Sequence, residues 1–73
     1  MEQTIKLKNP VSVIYEGRIS WETIRVEKVY VLRSGRISHV IDDKGNKYDF
    51  EYVDDKKSIY RSVIRNLMFK ELI

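Results

Sequence analysis

Few residues in this sequence have the chemistry of a catalytic or metal site. The chain has one histidine, His39, and no cysteine, so a zinc site would need three carboxylate ligands, an unusual set. The acidic pairs Asp42-Asp43 and Asp54-Asp55 suit a divalent ion or proton transfer, but positions at a hairpin turn and a helix start explain them without either. The three glycines stand alone, with no phosphate-binding motif. We therefore expect no enzyme activity, no catalytic residue, no metal ligand and no cofactor.

A hairpin between residues 28 and 41 is the best candidate for a binding surface. Its turn is predicted at Ser34-Gly35, where glycine accepts the positive φ angle that a two-residue hairpin loop requires. Counting outward from this turn places Tyr30 opposite His39 and Leu32 opposite Ile37. One face of the hairpin then carries Lys28, Tyr30, Leu32, Ile37, His39 and Ile41, and the other carries Val29, Val31, Arg33, Arg36, Ser38 and Val40.

The residues leave open which face of this hairpin is buried. If the three valines fill the core, the bulkier face is exposed next to Arg33 and Arg36. Architectural DNA-binding proteins press such apolar side chains into a widened minor groove, while Lys and Arg bind phosphates. If the bulkier face forms the core instead, the two arginines are a solvated turn. The first arrangement predicts an interface for double-stranded DNA, with little sequence preference, made of Lys28, Tyr30, Leu32, Arg33, Arg36, Ile37 and His39.

The alternative function is that of a protein-binding module or inhibitor. Its contact surface would be Arg61, Arg65 and Phe69, since arginine and aromatic residues are favoured anchors in interfaces. A solvated helix face explains the two arginines equally simply. The final turn, residues 68–73, is apolar nearly all round, so it packs on its own domain or is buried in a partner or a second copy, as in a homodimer. Small basic proteins without cysteine are also typical inhibitors of viral or mobile-element origin.

The elements that position these residues are predicted from periodicity. Residues 4–53 are rich in Val, Ile and Tyr and are interrupted by turn signals, which is typical of antiparallel strands. The alternation changes phase near Glu27-Lys28, where a β-bulge or a break would restore one buried face. Trp21 is expected to anchor the core. The predicted strands cover residues 11–16, a run from Ile19 to Leu32, residues 36–42 and residues 47–53, with turns at 17–18, 34–35 and 43–46.

After Val53 the apolar period becomes helical, over about residues 55–70. Asp54 or Asp55 is suited to cap the first turn, where backbone N–H groups lack partners. The stripe expected to pack on the sheet contains Ile59, Tyr60, Val63, Ile64 and Leu67. The whole pattern predicts a mainly β domain that one C-terminal helix closes.

Length and charge restrict the class of protein further. The 73 residues predict a single domain over 1–73, and no apolar run approaches the roughly 20 residues of a membrane span. The polar start is unlike a signal peptide, and the absence of cysteine suits a reducing compartment, so we expect a cytoplasmic protein without membrane contact. The net charge is +3, but residues 42–55 are acidic and both flanking segments are basic. Attraction to a polyanion is therefore expected at one surface only.

Four short segments carry a family resemblance: residues 15–17 (YEG), 27–32 (EKVYVL), 35–38 (GRIS) and 42–45 (DDKG). Their order resembles the small crenarchaeal chromatin proteins of about seven kilodaltons. The resemblance implies an SH3-like antiparallel barrel of about five strands, followed by a C-terminal helix. It also implies that the barrel binds duplex DNA.

The resemblance also implies roles for individual residues of the hairpin. Tyr30 takes the place of the DNA-facing tryptophan of that family, Leu32 and Ile37 the place of its intercalating aliphatic pair, and His39 that of a base-contacting serine. The sequence departs from the family at its last strand, where Lys47 lies beside Asp49 and Glu51 and no arginine is present.

Overall fold

The computed structural model describes residues 2–72, with the side chains of residues 2–67. The elements in chain order are β1 (Gln3–Glu16), β2 (Trp21–Val31), β3 (Ile37–Asp42), β4 (Lys47–Asp49), a 3-10 helix (Phe50–Tyr52) and α1 (Lys56–Leu72). The strands form one antiparallel sheet in the order β1-β2-β3-β4, so neighbours in sequence are neighbours in the sheet. The mainly β class with a C-terminal helix is therefore confirmed, with four strands where about five were expected.

The first hairpin differs from the expected one at its turn. Residues 17–20 form the loop, and β2 begins at Trp21, which pairs with Glu16; Ile19 lies in the loop and is fully exposed. A glycine is required at position 17, because a Cβ atom there would lie 2.8 Å from the carbonyl oxygen of Ser20. Trp21 is 68% exposed, so the expectation that it anchors the core is wrong.

The phase change in β2 is a bulge, one of the two irregularities that the sequence allowed. The pairing with β3 shifts between Val26 and Lys28, which leaves Glu27 as the extra residue. Because of this shift, Ile24 and Val26 before the bulge and Val29 after it all face the core. The β1 strand carries its own irregularity at residues 7–10, where Pro10, which has no N–H to donate, interrupts the ladder.

The strand expected over residues 47–53 is shorter than predicted. β4 ends at Asp49, and the chain turns through the 3-10 helix, which buries Phe50 in the core and leaves Tyr52 half exposed. Val53 then returns to the sheet, where it forms an isolated antiparallel bridge with Tyr15. Alternating apolar residues predicted an extended strand here, but a 3-10 turn also directs Phe50 inward, and this turn brings the chain back to β1.

α1 packs on the inner face of the sheet, mainly against β1. Asp55 precedes the helix, and its carboxylate accepts hydrogen bonds from the N–H and the hydroxyl of Ser58, as predicted for the cap. Ile59 and Val63 are buried and Leu67 is half buried, whereas Tyr60 and Ile64 are exposed, so the last two do not belong to the buried stripe. Among the described residues, no helix combines the length and the apolar character that crossing a membrane requires.

The core lies between the inner face of the sheet and α1. All of its side chains are aliphatic except one phenylalanine, as expected for a small β domain rich in branched residues. Its members are Ile5, Leu7, Val13, Ile24, Val26, Val29, Val31, Ile37, Val40, Phe50, Val53, Ile59 and Val63.

Candidate nucleic-acid interface

The hairpin of β2 and β3 turns its valines inward. Val29, Val31 and Val40 lie in the core, so the face that carries Tyr30 and His39 points away from α1. Tyr30, Leu32 and His39 are half buried, while Lys28, Arg33 and Arg36 are exposed. Of the two arrangements that the sequence left open, the structure has the one in which the bulkier face is accessible. Six of the seven predicted interface residues are accessible on this hairpin.

Ile37 is the exception, since it is only 7% exposed and belongs to the core. The turn has three loop residues, Arg33 to Gly35, and not two. Leu32 donates its N–H to the carbonyl of Arg36, and Gly35, at φ 87°, donates to the carbonyl of Leu32. Ile37 therefore pairs with Val31, which faces inward. The prediction that Ile37 is an exposed partner of Leu32 is wrong, because a loop longer by one residue reverses the face of the next residue.

A second register shift, which leaves Ser38 unpaired, restores the predicted pairing further along the hairpin. Tyr30 is opposite His39 and Val29 is opposite Val40, as expected. The rings of Tyr30 and His39 stack with their centroids 4.8 Å apart and an interplanar angle of 10°. The stack lies on the outer sheet face, and both of its side chains remain partly accessible to solvent.

The hydroxyl of Tyr30 is held by the start of the chain. It donates a hydrogen bond of 3.0 Å to Oε2 of Glu2. That bond, followed by the negative charge of Glu2, raises the pKa of the Tyr30 phenol above its usual value. Tyr30 is therefore neutral at physiological pH, and its ring is held flat against His39.

His39 is neutral under the same conditions. Burial of the ring, followed by the positive charge of Lys47, lowers its pKa below the ordinary value of 6.5, although Asp49 opposes the shift. Its Nδ1 lies 3.2 Å from the hydroxyl of Ser38. A neutral imidazole keeps one donor and one acceptor, so the stack can make polar contacts without adding charge.

Two further lysines approach this surface through strand pairing. Lys6 is opposite Lys28 across β1 and β2, and Lys47 is opposite Ile41 across β3 and β4. Sequence reasoning placed neither in the interface because both lie more than ten residues from the hairpin centre on other strands, although the outward parity of Lys6 between Ile5 and Leu7 was visible. Lys6 also contacts Glu27, with Nζ 3.7 Å from Oε1. Lys6, Lys28, Lys47, Arg33 and Arg36 together surround the aromatic stack, and the nearby acidic residues are Glu2, Glu27 and Asp49.

The residues of the alternative interface lie elsewhere. Arg61 and Arg65 are exposed on α1, which packs on the core side of the sheet, so they lie on a different surface from the stack. Phe69 and the apolar final turn fall outside the residues whose side chains are described. The predicted protein-binding role of this helix stays a prediction.

Asp42 has a structural role in the second hairpin turn. It is buried, and its Oδ1 accepts hydrogen bonds from the N–H groups of Lys44 and Asn46, while Oδ2 accepts from the Asn46 amide and the Tyr48 hydroxyl. Burial alone would raise the pKa of this carboxyl, but the bonds from Asn46, Lys44 and Tyr48 outweigh it and lower the pKa. Gly45, at φ 89°, completes the turn as the sequence predicted. Within the described part of the chain, no three His, Asp or Glu side chains converge as metal ligands would.

Comparisons of the chain with protein-family models, with curated proteins and with solved structures found no match. The resemblance to the small chromatin proteins therefore stays an expectation, and function is inferred from the geometry of this surface.

Proposed function

We propose that this protein is a non-enzymatic binder of double-stranded DNA that uses the outer face of the β2–β3 hairpin. The observation that carries the proposal is the accessible Tyr30–His39 stack, which five basic side chains surround. Lysine and arginine supply phosphate contacts, and these contribute most of the affinity but no sequence information. The aromatic surface supplies the apolar contact with sugars or with an opened base step.

Burial of Ile37 changes how such a complex would form. Leu32, half buried beside the turn, is left as the single aliphatic side chain next to Arg33 and Arg36. One wedge opens a base step less than an adjacent pair does, so the proposed complex bends DNA less than one with two wedges. Affinity then depends mainly on charge, and we expect dissociation constants in the non-specific range of about 10⁻⁴ to 10⁻⁶ M at physiological salt.

The proposal includes a fold closed as an SH3-like barrel and a cytoplasmic location. Support for closure comes from the Tyr15–Val53 bridge and from the hydrogen bond between the N–H of Asp54 and the carbonyl of Ile14, 2.8 Å long. These contacts join the end of the 3-10 helix to β1, the strand at the far side of the sheet order. The absence of cysteine supports a reducing compartment.

A salt titration with a short duplex of mixed sequence tests the proposal. The affinity, measured by fluorescence anisotropy, should fall steeply as salt rises, because each phosphate that the protein neutralises contributes about 0.9 to the logarithmic slope. The double variant Arg33→Ala, Arg36→Ala should reduce that slope by about two. The matched control, Arg61→Ala with Arg65→Ala, removes the same charge from α1 and should leave the slope nearly unchanged.

Tyr30→Ala tests the aromatic contribution separately. We expect it to weaken DNA binding while the domain stays folded, because the ring lies on the outer face and not in the core. Circular dichroism provides the folding control. If the parent protein binds no duplex at low ionic strength, DNA binding is refuted and a protein partner becomes the leading function.

A further inference from the structure

A second surface lies at the start of β2, at the opposite end of this strand from Tyr30. The outward side chains of Ile14, Trp21 and Tyr52 line a groove of about 470 Å³ between the first hairpin and the 3-10 helix. They are 40%, 68% and 49% exposed, unusually accessible for side chains of this size. Trp21 is nine residues along β2 from Tyr30, which corresponds to about 30 Å of strand.

Both apolar and acidic side chains line the groove. Glu16, Glu51 and Asp54 line it, together with the capping residue Asp55 and two lysines, Lys56 and Lys57. Among the described side chains, none of the carboxylates of Glu16, Glu51 and Asp54 makes an ion pair. A protein of net charge +3 thus concentrates unpaired negative charge around Trp21, the most exposed aromatic residue among those whose side chains are described.

We propose that this groove binds a cationic peptide segment of a partner protein. The charge selects the occupant: carboxylates repel nucleic acid phosphates, whereas they attract Lys and Arg side chains. Arginine also stacks on tryptophan and tyrosine rings, so the exposed rings of Trp21 and Tyr52 suit the same side chains as the carboxylates of the groove. The groove volume lies within the range of about 300–1,000 Å³ that is typical of ligand sites.

The position of Tyr52 gives the groove a rigid wall. Its ring packs edge-on against Tyr15, with centroids 6.5 Å apart, and Tyr15 packs in turn against Tyr48 at 4.8 Å. A wall held by neighbouring rings loses little conformational freedom when a peptide binds, which favours affinity. Trp21 has no ring contact with another described aromatic residue, so its face is available.

Trp21 is the one tryptophan of the chain, so its fluorescence reports on this groove directly. The probe is a short peptide of alternating arginine and leucine, and the control is the same peptide with glutamate in place of arginine. We expect a saturable change in tryptophan emission with the arginine peptide and none with the glutamate peptide. Tyr52→Ala should weaken the arginine peptide by about tenfold or more, as for an aromatic anchor of an interface. Tyr60→Ala, an exposed tyrosine outside the groove, is the matched control.

Three results would overturn the proposal. Equal binding of both peptides would show that apolar contact alone fills the groove. If neither Tyr52→Ala nor the double variant Glu16→Gln, Glu51→Gln changes the affinity for the arginine peptide, the peptide binds outside the groove. Sedimentation that shows a dimer in the parent protein but not in Tyr52→Ala would assign the groove to a second copy. Duplex DNA binding is measured on the same variants, so failure of this proposal is distinguishable from failure of the DNA-binding proposal.

Discussion

His39 illustrates how the surroundings of one residue determine its behaviour. From the sequence it was a lone histidine without partners for catalysis. In the structure it is half buried, stacked on Tyr30 and close to Lys47, and these surroundings favour the neutral ring. A histidine in this position contributes an aromatic ring to the stack and not a charge.

The lowered pKa of His39 makes stability depend on pH. The unfolded chain binds a proton near the ordinary pKa of 6.5, before the folded protein does, so its contribution to stability is present above 6.5 and is lost as the pH falls through the folded pKa. Denaturant unfolding between about pH 8 and pH 5 should show this loss. The His39→Gln variant should lose less stability over the same interval, and an identical pH dependence in both proteins would contradict the assignment.

Asp42 is predicted to control stability at lower pH. Its pKa is below the ordinary 3.8, so its contribution is present above the unfolded value and is lost as the pH falls through the folded pKa. Asp42→Asn should lower the melting temperature at neutral pH and flatten its acid dependence, because the amide replaces one acceptor oxygen with a donor. Asp43→Asn, at the exposed neighbour, should change neither, and a similar effect of both variants would refute the role.

At the scale of elements, the helix shows the limit of periodicity. The predicted stripe has two adjacent rows of side chains, Ile59 with Val63 and Tyr60 with Ile64. Only the row of Ile59 and Val63 enters the core. Ser58 and Ser62, on the other side of this row, are half buried, whereas Tyr60 and Ile64 are exposed. The helix is therefore rotated so that the row of Ile59 and Val63, and not the middle of the predicted stripe, faces the sheet.

Two isoleucines on α1 test this placement. Ile59→Ala should reduce the free energy of unfolding by about 2–5 kcal/mol, because the side chain is fully buried. Ile64→Ala, at a position 55% exposed, should change it by no more than about 0.5 kcal/mol. Urea unfolding measures both, and equal losses would place the helix in a different rotation.

The three-residue loop of the β2–β3 hairpin predicts different roles for Ile37 and Leu32, and two variants test this. Ile37→Ala should destabilise the fold by about 2–5 kcal/mol, as a core truncation does. Leu32→Ala should cost less stability and should weaken DNA binding more at equal folded fraction. Thermal melts and anisotropy on both variants decide between this register and the two-residue turn, which would give them equal costs.

At the scale of the whole molecule, the two surfaces separate opposite charges. The aromatic stack with its basic residues lies toward one end of β2, and the acidic groove lies toward the other. Trp21 lies about 30 Å of strand from Tyr30, which exceeds the Debye length of about 8 Å at physiological salt. Glu51 is closer to the stack, because it lies two residues after Asp49, the partner of His39 across β3 and β4.

That separation predicts how the groove influences DNA binding. Replacing Glu16 and Asp54, the groove carboxylates beside the start of β2, with their amides should leave duplex affinity unchanged at physiological salt. At about 0.01 M salt the Debye length reaches about 30 Å, and the same double variant should bind DNA more tightly because its net charge is more positive. A large gain at physiological salt would mean that the groove carboxylates lie close to the bound DNA.

The sequence by itself determined the features that depend on neighbours along the chain. The strand-rich first part, the helical last part, the cap at Asp55 and the left-handed Gly45 follow from local period and turn chemistry. The bulge at Glu27 follows as well, because a change in alternation within one strand is visible without its partner. The accessible Tyr30–His39 pair was one of two arrangements that these local rules allowed.

Tertiary structure decided what depends on contacts between distant segments. The three-residue loop and the shift at Ser38 moved Ile37 into the core, and pairing across strands brought Lys6 and Lys47 to the stack. The 3-10 turn placed Tyr52 beside Trp21 to form the groove. The physical reason is that each strand has a side-chain period of two, so a single residue of loop or bulge reverses a face, and only pairing with the neighbouring strand determines where that residue is inserted.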